Sequence, residues 1–343
     1  MTLTGNNPVK WLVLLGMLHG AIAGAGFLAP YDPAQQDRQH AYVGPMTLHF
    51  VDVKGHFHLR PYFYGLNPLD NGSSFQPDSA RSIPVTFFVT GSKYRVLAFI
   101  PCSRHLFGAD GGHLYLLGTD GYGRDQLSRI LCGGQVSLLA GLLGAGITLL
   151  LGFVIGAVAG YYGGWRDGLL MRLAEFFLSL PWLYLLLGLR AFLPLDVNPL
   201  TAFCMVVMVI AIVGWARPAR LVRGIVLTAK ERDFVRAARG FGASDVYLFR
   251  RHVFPELVSV LLTQAAVLVP QYVMAEMTLS FLGLGVPEPI ASWGSLLANL
   301  QQYSVLVSCW WMYLPAVAIV PFFLGYLGLA STMHRWEERS IAP

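Results

Sequence analysis

The side chains able to do chemistry in this sequence are few, and most gather in one stretch. Nine of the 24 basic residues fall between Arg217 and Arg251, with only Glu231, Asp233 and Asp245 against them. Inside that stretch Phe234, Ala237, Ala238 and Phe241 recur at three- and four-residue spacing, so a helix would carry them on one face. A small apolar face offers close contact with another protein rather than catalysis. Signatures of catalysis are missing: the sequence has no GxxxxGK[ST] phosphate loop, no HExxH, no nucleophile elbow and no paired-carboxylate motif. Gly121–Arg124 is no dinucleotide fingerprint, because no third glycine follows at the needed spacing. His56 and His58, or His105 and His113, form pairs without a supporting cluster of carboxylates or cysteines, so no metal site is expected. Cys102, Cys132, Cys204 and Cys309 are far apart and read as small buried hydrophobes. The expectation is a chain that is not an enzyme and holds no cofactor.

What must position these residues is a membrane fold. Only 13% of the 343 residues are charged and 55% are apolar, where soluble domains carry roughly 25% and 45–50%. No Asp, Glu, Lys or Arg lies between Arg129 and Arg166, nor between Glu288 and Arg335. Charge-free stretches of that length are membrane spans or pairs of them. The run from Trp11 to Pro30 is long for the apolar region of a signal peptide and reads as a retained first helix. Five further spans are expected near 134–160, 168–190, 199–216, 258–284 and 308–330. The basic segment 217–257 marks the cytoplasmic side, and an even number of crossings puts both termini there too. A basic patch between two spans argues for topology, not for nucleic acid.

The expected fold is an all-α polytopic membrane protein of about six transmembrane helices. It has a small β-rich extracytoplasmic insert between the first and second. The expected organisation is an N-terminal helix (1–30), an insert with an interfacial segment (31–130), a core (131–335) containing the cytoplasmic loop 217–257, and a tail (336–343). Within the insert, Thr47–Lys54 with His56–Leu59 around Gly55, and Pro84–Val89 with Tyr94–Ile100 around Thr90–Lys93, read as two hairpins. Gly144, Thr148, Gly152, Gly156 and Gly160 recur every fourth residue, a packing face for a neighbouring helix of this chain or of a partner. Thr119–Arg129 reads as a helix start at the outer surface. Asp120 is its cap, Asp125 lies in its first turn, and Arg124 and Arg129 reach lipid head groups. Glu175 and Glu276 lie in or beside spans. Carboxylates there usually face protein or water, which makes Glu276, with Ser280, a candidate for a translocation path.

In the basic loop, Thr228 and Glu231 fit a capping box that would start a helix near Ala229. Gly242 suits its stop, Ser244 caps a second helix, and Pro255 lies near that helix's end. Here the chain resembles the inner-membrane permease subunits of ATP-binding-cassette importers, most closely the dipeptide/oligopeptide group and its second permease type. Ala237-Ala238, Gly242 and Pro255 match the family's Glu-Ala-Ala…Gly…Pro loop. Matching segments follow in order: Leu117–Asp120, Gly123–Asp125 with Ser128-Arg129, Tyr161–Trp165, Ala219–Arg223, Ser280–Gly285 and Ser292–Gly294. The resemblance covers residues 115–335 well. It implies that the 228–255 loop, through Phe234, Arg236, Ala237, Ala238, Phe241 and Gly242, couples to an ATPase. Arg236 departs from the pattern, standing where the family has Glu, so any ion pair there is reversed or absent. The resemblance further implies a second homologous permease, two ATP-binding-cassette ATPases that bind ATP and Mg, an extracytoplasmic binding protein, and membrane lipid as partners. It places the chain in the bacterial inner membrane, with di- or oligopeptides as cargo and nickel or another small solute as the alternative. A stand-alone secondary transporter is the contrasting class, and the scarcity of intramembrane charge speaks against it.

Overall fold

The computed structural model describes residues 8–51, 55–69, 74–96 and 100–341, with 74, 96 and 334–341 described by backbone alone. The chain opens with α1 (Pro8–Ala23) and, after a break at Gly24, a single further turn, α2 (Ala25–Leu28). The uninterrupted run expected over Trp11–Pro30 is therefore divided. Gly24 leaves helical geometry, and Ala29, the residue before a proline, turns extended.

A four-stranded antiparallel sheet follows in sequential order: β1 (His49–Val51), β2 (Phe57–Leu69), β3 (Ser74–Val96) and β4 (Ile100–Ala109). β1 returns to β2 near Gly55, which has φ of +84°. Residues 52–54 and 97–99, the ends of two expected strands, lie outside the described residues. The second expected hairpin is displaced. Thr90–Lys93 does not turn; β3 runs through it with a register shift between Thr90 and Tyr94, and Tyr94 continues the strand begun at Pro84. Gly91 makes that irregular crossing possible, because a Cβ there would stand 2.7 Å from the His105 ring. The sheet buries Phe63, Ile83 and Val85 with Leu114.

The rest is helical. α3 (Gln126–Tyr162) is followed by α4 (Gly164–Ser179), α5 (Trp182–Phe192), α6 (Pro199–Gly214), α7 (Ala216–Lys230) and the short α8 (Asp233–Gly240). A continuous helix α9 (Asp245–Phe281) comes next, then α10 (Trp293–Ala298), α11 (Tyr303–Ser308) and α12 (Leu314–Ile341). Among the described residues three helices are long and apolar enough to cross a membrane: α3, α9 and Trp310–Met333. Two bent pairs, α4 with α5 (93°) and α6 with α7 (45°), raise the count to five if each is one span. The single span expected at 168–190 is thus broken. Pro181 has no amide hydrogen to continue α4, and Leu180 before it is extended (φ −83°, ψ 139°).

The chain divides into two compact units. One holds the residues up to Val13, Leu138–Leu279 and the chain from Phe323; the other holds Leu14–Ser137 and Ser280–Phe322. In the first unit the small-residue face of α3 finds its partner inside this chain. A Cβ on Gly152 would lie 2.5 Å from the Pro218 side chain, and one on Gly156 would lie 2.4 Å from the Ala219 carbonyl oxygen. At Gly160 the Arg223 carbonyl oxygen would be 2.9 Å away. α3 and α7 therefore meet backbone to backbone, which only glycine allows.

Candidate functional site

Two groups of predicted residues stand out, one exposed and one buried. The exposed group is α8 and its surroundings. The Thr228–Glu231 capping box is not formed. α7 runs on to Lys230, and the Thr228 hydroxyl donates back to the Gly224 carbonyl (3.1 Å) instead of receiving an amide. The next helix starts at Asp233, whose carboxylate sits in the first turn where the helix dipole favours it. Gly242 ends it as expected, with φ of +88° and its amide bonded to the Arg239 carbonyl. Ser244 caps the following helix, accepting from the Tyr247 amide. Pro255 does not end that helix. Residues Phe249–Val253 form a π turn, the Phe254 amide reaches back to Phe249, and α9 continues unbroken past the proline. The i→i+5 pattern accommodates a residue that cannot donate.

On α8, Val235 alone is buried and ties the helix down. Phe234, Ala237 and Phe241 face outward, Phe241 almost wholly (93%), while Ala238 lies half-buried on the flank. Arg236 forms an ion pair with Glu231 of the same chain. Each member raises the other's preference for its charged form: hydrogen bonding to Arg236 lowers the Glu231 pKa, and Glu231 raises that of Arg236. Arg232 pairs with Glu256 (2.6 Å), and Arg239 reaches both Asp245 and the Tyr161 hydroxyl at 3.3 Å. The segment is thus pinned at its edges by polar contacts, and its apolar face stays largely exposed, Phe234 meeting the His252 ring with centroids 5.3 Å apart.

The buried group surrounds the start of α3. Asp125, not Asp120, caps this helix: its Oδ2 accepts from the Ser128 amide (2.8 Å) and hydroxyl (2.6 Å). Asp120 instead folds its own loop, accepting from the Tyr122 and Arg124 amides and pairing with Arg124 Nε at 2.7 Å. Thr119 is buried beside it, its hydroxyl donating to the His40 carbonyl and accepting from the Val43 amide. Arg124 and Arg129 do not reach out to head groups. Both are buried, and both turn to Glu288, Arg124 at 2.6 Å and Arg129 at 2.9 Å. Asp120 also stands 3.5 Å from Arg129 Nε. Two guanidinium groups sharing two carboxylates satisfy one another better than lipid would. Burial opposes the charge on Glu288, but Arg129 and Arg124 outweigh it and hold its pKa below the ordinary value. Asp125 has no such cation. Burial pushes its carboxyl up to about 6, against the two Ser128 hydrogen bonds. Glu288 escaped the sequence reading; the available signal was a lone acid at the edge of a charge-free stretch.

Glu276 and Ser280 both lie on α9 and are buried. They are one turn apart on one face of that helix.

Residues 152–335 match the family model described as "Binding-protein-dependent transport system inner membrane component". A Brucella suis protein named for a peptide transport system permease is 40% identical over 206 residues, spanning 60% of this chain and 67% of that protein. The dipeptide transport system permease protein DppC of Bacillus subtilis is 36% identical over 214 residues, 62% of this chain and 65% of its own length. Among solved structures, an amino acid ABC transporter aligns over 62% of this chain and 94% of its own, with 20% identity and a TM-score of 0.45.

Proposed function

Since the chain belongs to the family of binding-protein-dependent transport system inner membrane components, we propose that it forms one half of the membrane path of an importer of di- or oligopeptides. A second, homologous permease completes the path, and an extracytoplasmic binding protein delivers the cargo. Two ATPase subunits bind ATP and Mg and supply the energy. The peptide cargo follows the names of the relatives. Glu276 and Ser280 line the path. In the bacterial inner membrane α1 supplies a sixth crossing beside the five of length and composition, and the sheet of residues 49–109 lies outside.

The observation that carries this reading is the exposed apolar face of α8, a short helix between α7 and α9 with a single buried side chain, Val235. Phe234 meets the His252 ring on one side (5.3 Å) yet stays about half exposed, and Ala237 and Phe241 are exposed beside it; contiguous exposed apolar surface of this kind marks a protein contact. Ala237 sets the distance of approach, so α8 is the element that docks on the ATPase. Ala237→Trp should leave insertion and thermal stability unchanged, abolish ATP-driven peptide uptake in proteoliposomes, and release the ATPase on purification. Full uptake with the tryptophan in place would exclude docking through this face.

A further inference from the structure

Two backbone breaks and a proline-bearing stretch of continuous helix in the first unit line one cavity. Leu178, Leu180 and Trp182 line it from the break between α4 and α5, and Val213, Gly214 and Arg217 from the bend between α6 and α7. Leu268, Gln271 and Tyr272 line it from α9, on either side of Pro270. The cavity is about 130 Å³. That is close to the roughly 150 Å³ that holds a single benzene ring, so it takes one residue of a solute rather than a whole peptide.

Its chemistry is asymmetric. Phe177, Ile210 and Leu268 contribute apolar wall, and Arg217, Gln271 and Tyr272 are its polar side chains. Arg217 is exposed, and neither it nor Gln271 has a hydrogen bond or ion pair among the described residues. Arg223, further along α7, is by contrast held by Asp167 in a bidentate pair at 2.5 and 2.6 Å. The Tyr272 hydroxyl is pressed against Gly214, where a Cβ would stand 1.9 Å from the oxygen. It lies beside Thr148 and within the field of Arg217. A residue other than glycine at 214 would displace the hydroxyl from the cavity wall.

We infer that this cavity seats the carboxylate-bearing terminal residue of the transported solute. Arg217 is the ion partner, Gln271 and Tyr272 are flanking hydrogen-bond donors, and the apolar wall takes the side chain. A guanidinium matches a carboxylate with two parallel bonds, and an amide and a phenol donate without adding charge. The inference rests on the reading of the chain as a peptide permease and adds the site and the end of the peptide that is recognised.

The test uses the complete transporter, purified with its ATPases and second permease but without binding protein, so that recognition by the latter does not enter. The probes are alanyl-leucine and its C-terminal amide, measured by equilibrium dialysis. The free acid should bind at least about tenfold more tightly than the amide, as expected for a charge-assisted pair. Arg217→Gln should remove that difference by weakening the acid and sparing the amide, and Arg217→Lys should restore part of it. Gln271→Leu, away from the cation, should weaken the acid to a smaller extent. Membrane insertion and co-purification with the ATPases should be unchanged in all three, which separates lost recognition from lost folding. Equal binding of acid and amide, or a difference that survives Arg217→Gln, would overturn the inference and leave the peptide reading standing. Binding of neither form, together with uptake of a different solute class, would remove both.

Discussion

The cluster at the start of α3 and the surface of α8 use the same residue types to opposite ends. Around Asp120 and Glu288 two arginines are fully enclosed, each held by more than one carboxylate contact, with Arg129 wholly inaccessible. On α8 the arginines are exposed and each meets an acid of its own loop. Pairs whose guanidinium is enclosed hold a loop in one geometry, because a buried arginine that loses its partner has no water to replace it. Exposed pairs contribute little to stability and are free to exchange partners. The first region holds a shape; the second presents one.

That contrast can be broken at several points. The largest effect is expected from Arg129→Met, which removes a wholly buried guanidinium from beside the buried Asp120 and the half-exposed Glu288. A loss of about 3–5 kcal/mol is expected, read as a steep fall in thermal midpoint in detergent. A midpoint within a degree or two of the parent would show the cluster to be dispensable. Gly156→Ala comes next. Its Cβ would have to lie 2.4 Å from the Ala219 carbonyl oxygen, and overpacking of that kind costs about 1–3 kcal/mol. Unchanged unfolding would mean that α3 and α7 separate easily.

Asp125 sharpens the comparison through pH. Its carboxyl titrates near 6 in the fold against 3.8 for the exposed group. The folded chain therefore keeps this proton over a range where the unfolded chain has lost it. The contribution of this group to stability falls as pH rises from about 4 to about 6 and stays low above that. Glu288 works the other way: its lowered pKa adds stability that is present at neutral pH and lost as pH falls through its folded value. Asp125→Asn keeps a cap and removes the titration. The difference in thermal midpoint between parent and variant should grow in favour of the variant from pH 4 to 6 and then level off. A difference that does not vary with pH would show that Asp125 stays ionised throughout. The smallest effect belongs to Arg236→Ala, where both partners are exposed: no resolvable change in thermal midpoint is expected, and a clear drop would mean that the pair with Glu231 helps to hold α8.

Much of the segment around α8 was legible because its signals are local. The basic density, the spacing of Phe234, Ala237 and Phe241, the stop at Gly242 and the cap at Ser244 are each read within a few residues. Thr228 misled because a capping sequence inside an established helix can turn its hydroxyl back to Gly224 instead. Pro255 misled because a π turn upstream absorbs it. The turn expected at Thr90–Lys93 failed for a tertiary reason, since the extra residues bulge past His105 while β3 keeps its pairing. The partners of Arg124 and Arg129 were not legible: Glu288 lies 164 and 159 residues away, and nothing local announces a pair of that span. The glycine face of α3 was visible as a pattern, but which helix it meets was settled only by Pro218, Ala219 and Arg223.

That glycine seam has a mechanical meaning. Where helices touch through long side chains, a push on one is partly absorbed by rotamers, and the far end moves late and less. Between α3 and α7 at Gly152, Gly156 and Gly160 there is no such cushion. The joint behaves as a clamp rather than a spring, and a displacement entering at the foot of α7 reaches α3 undiminished.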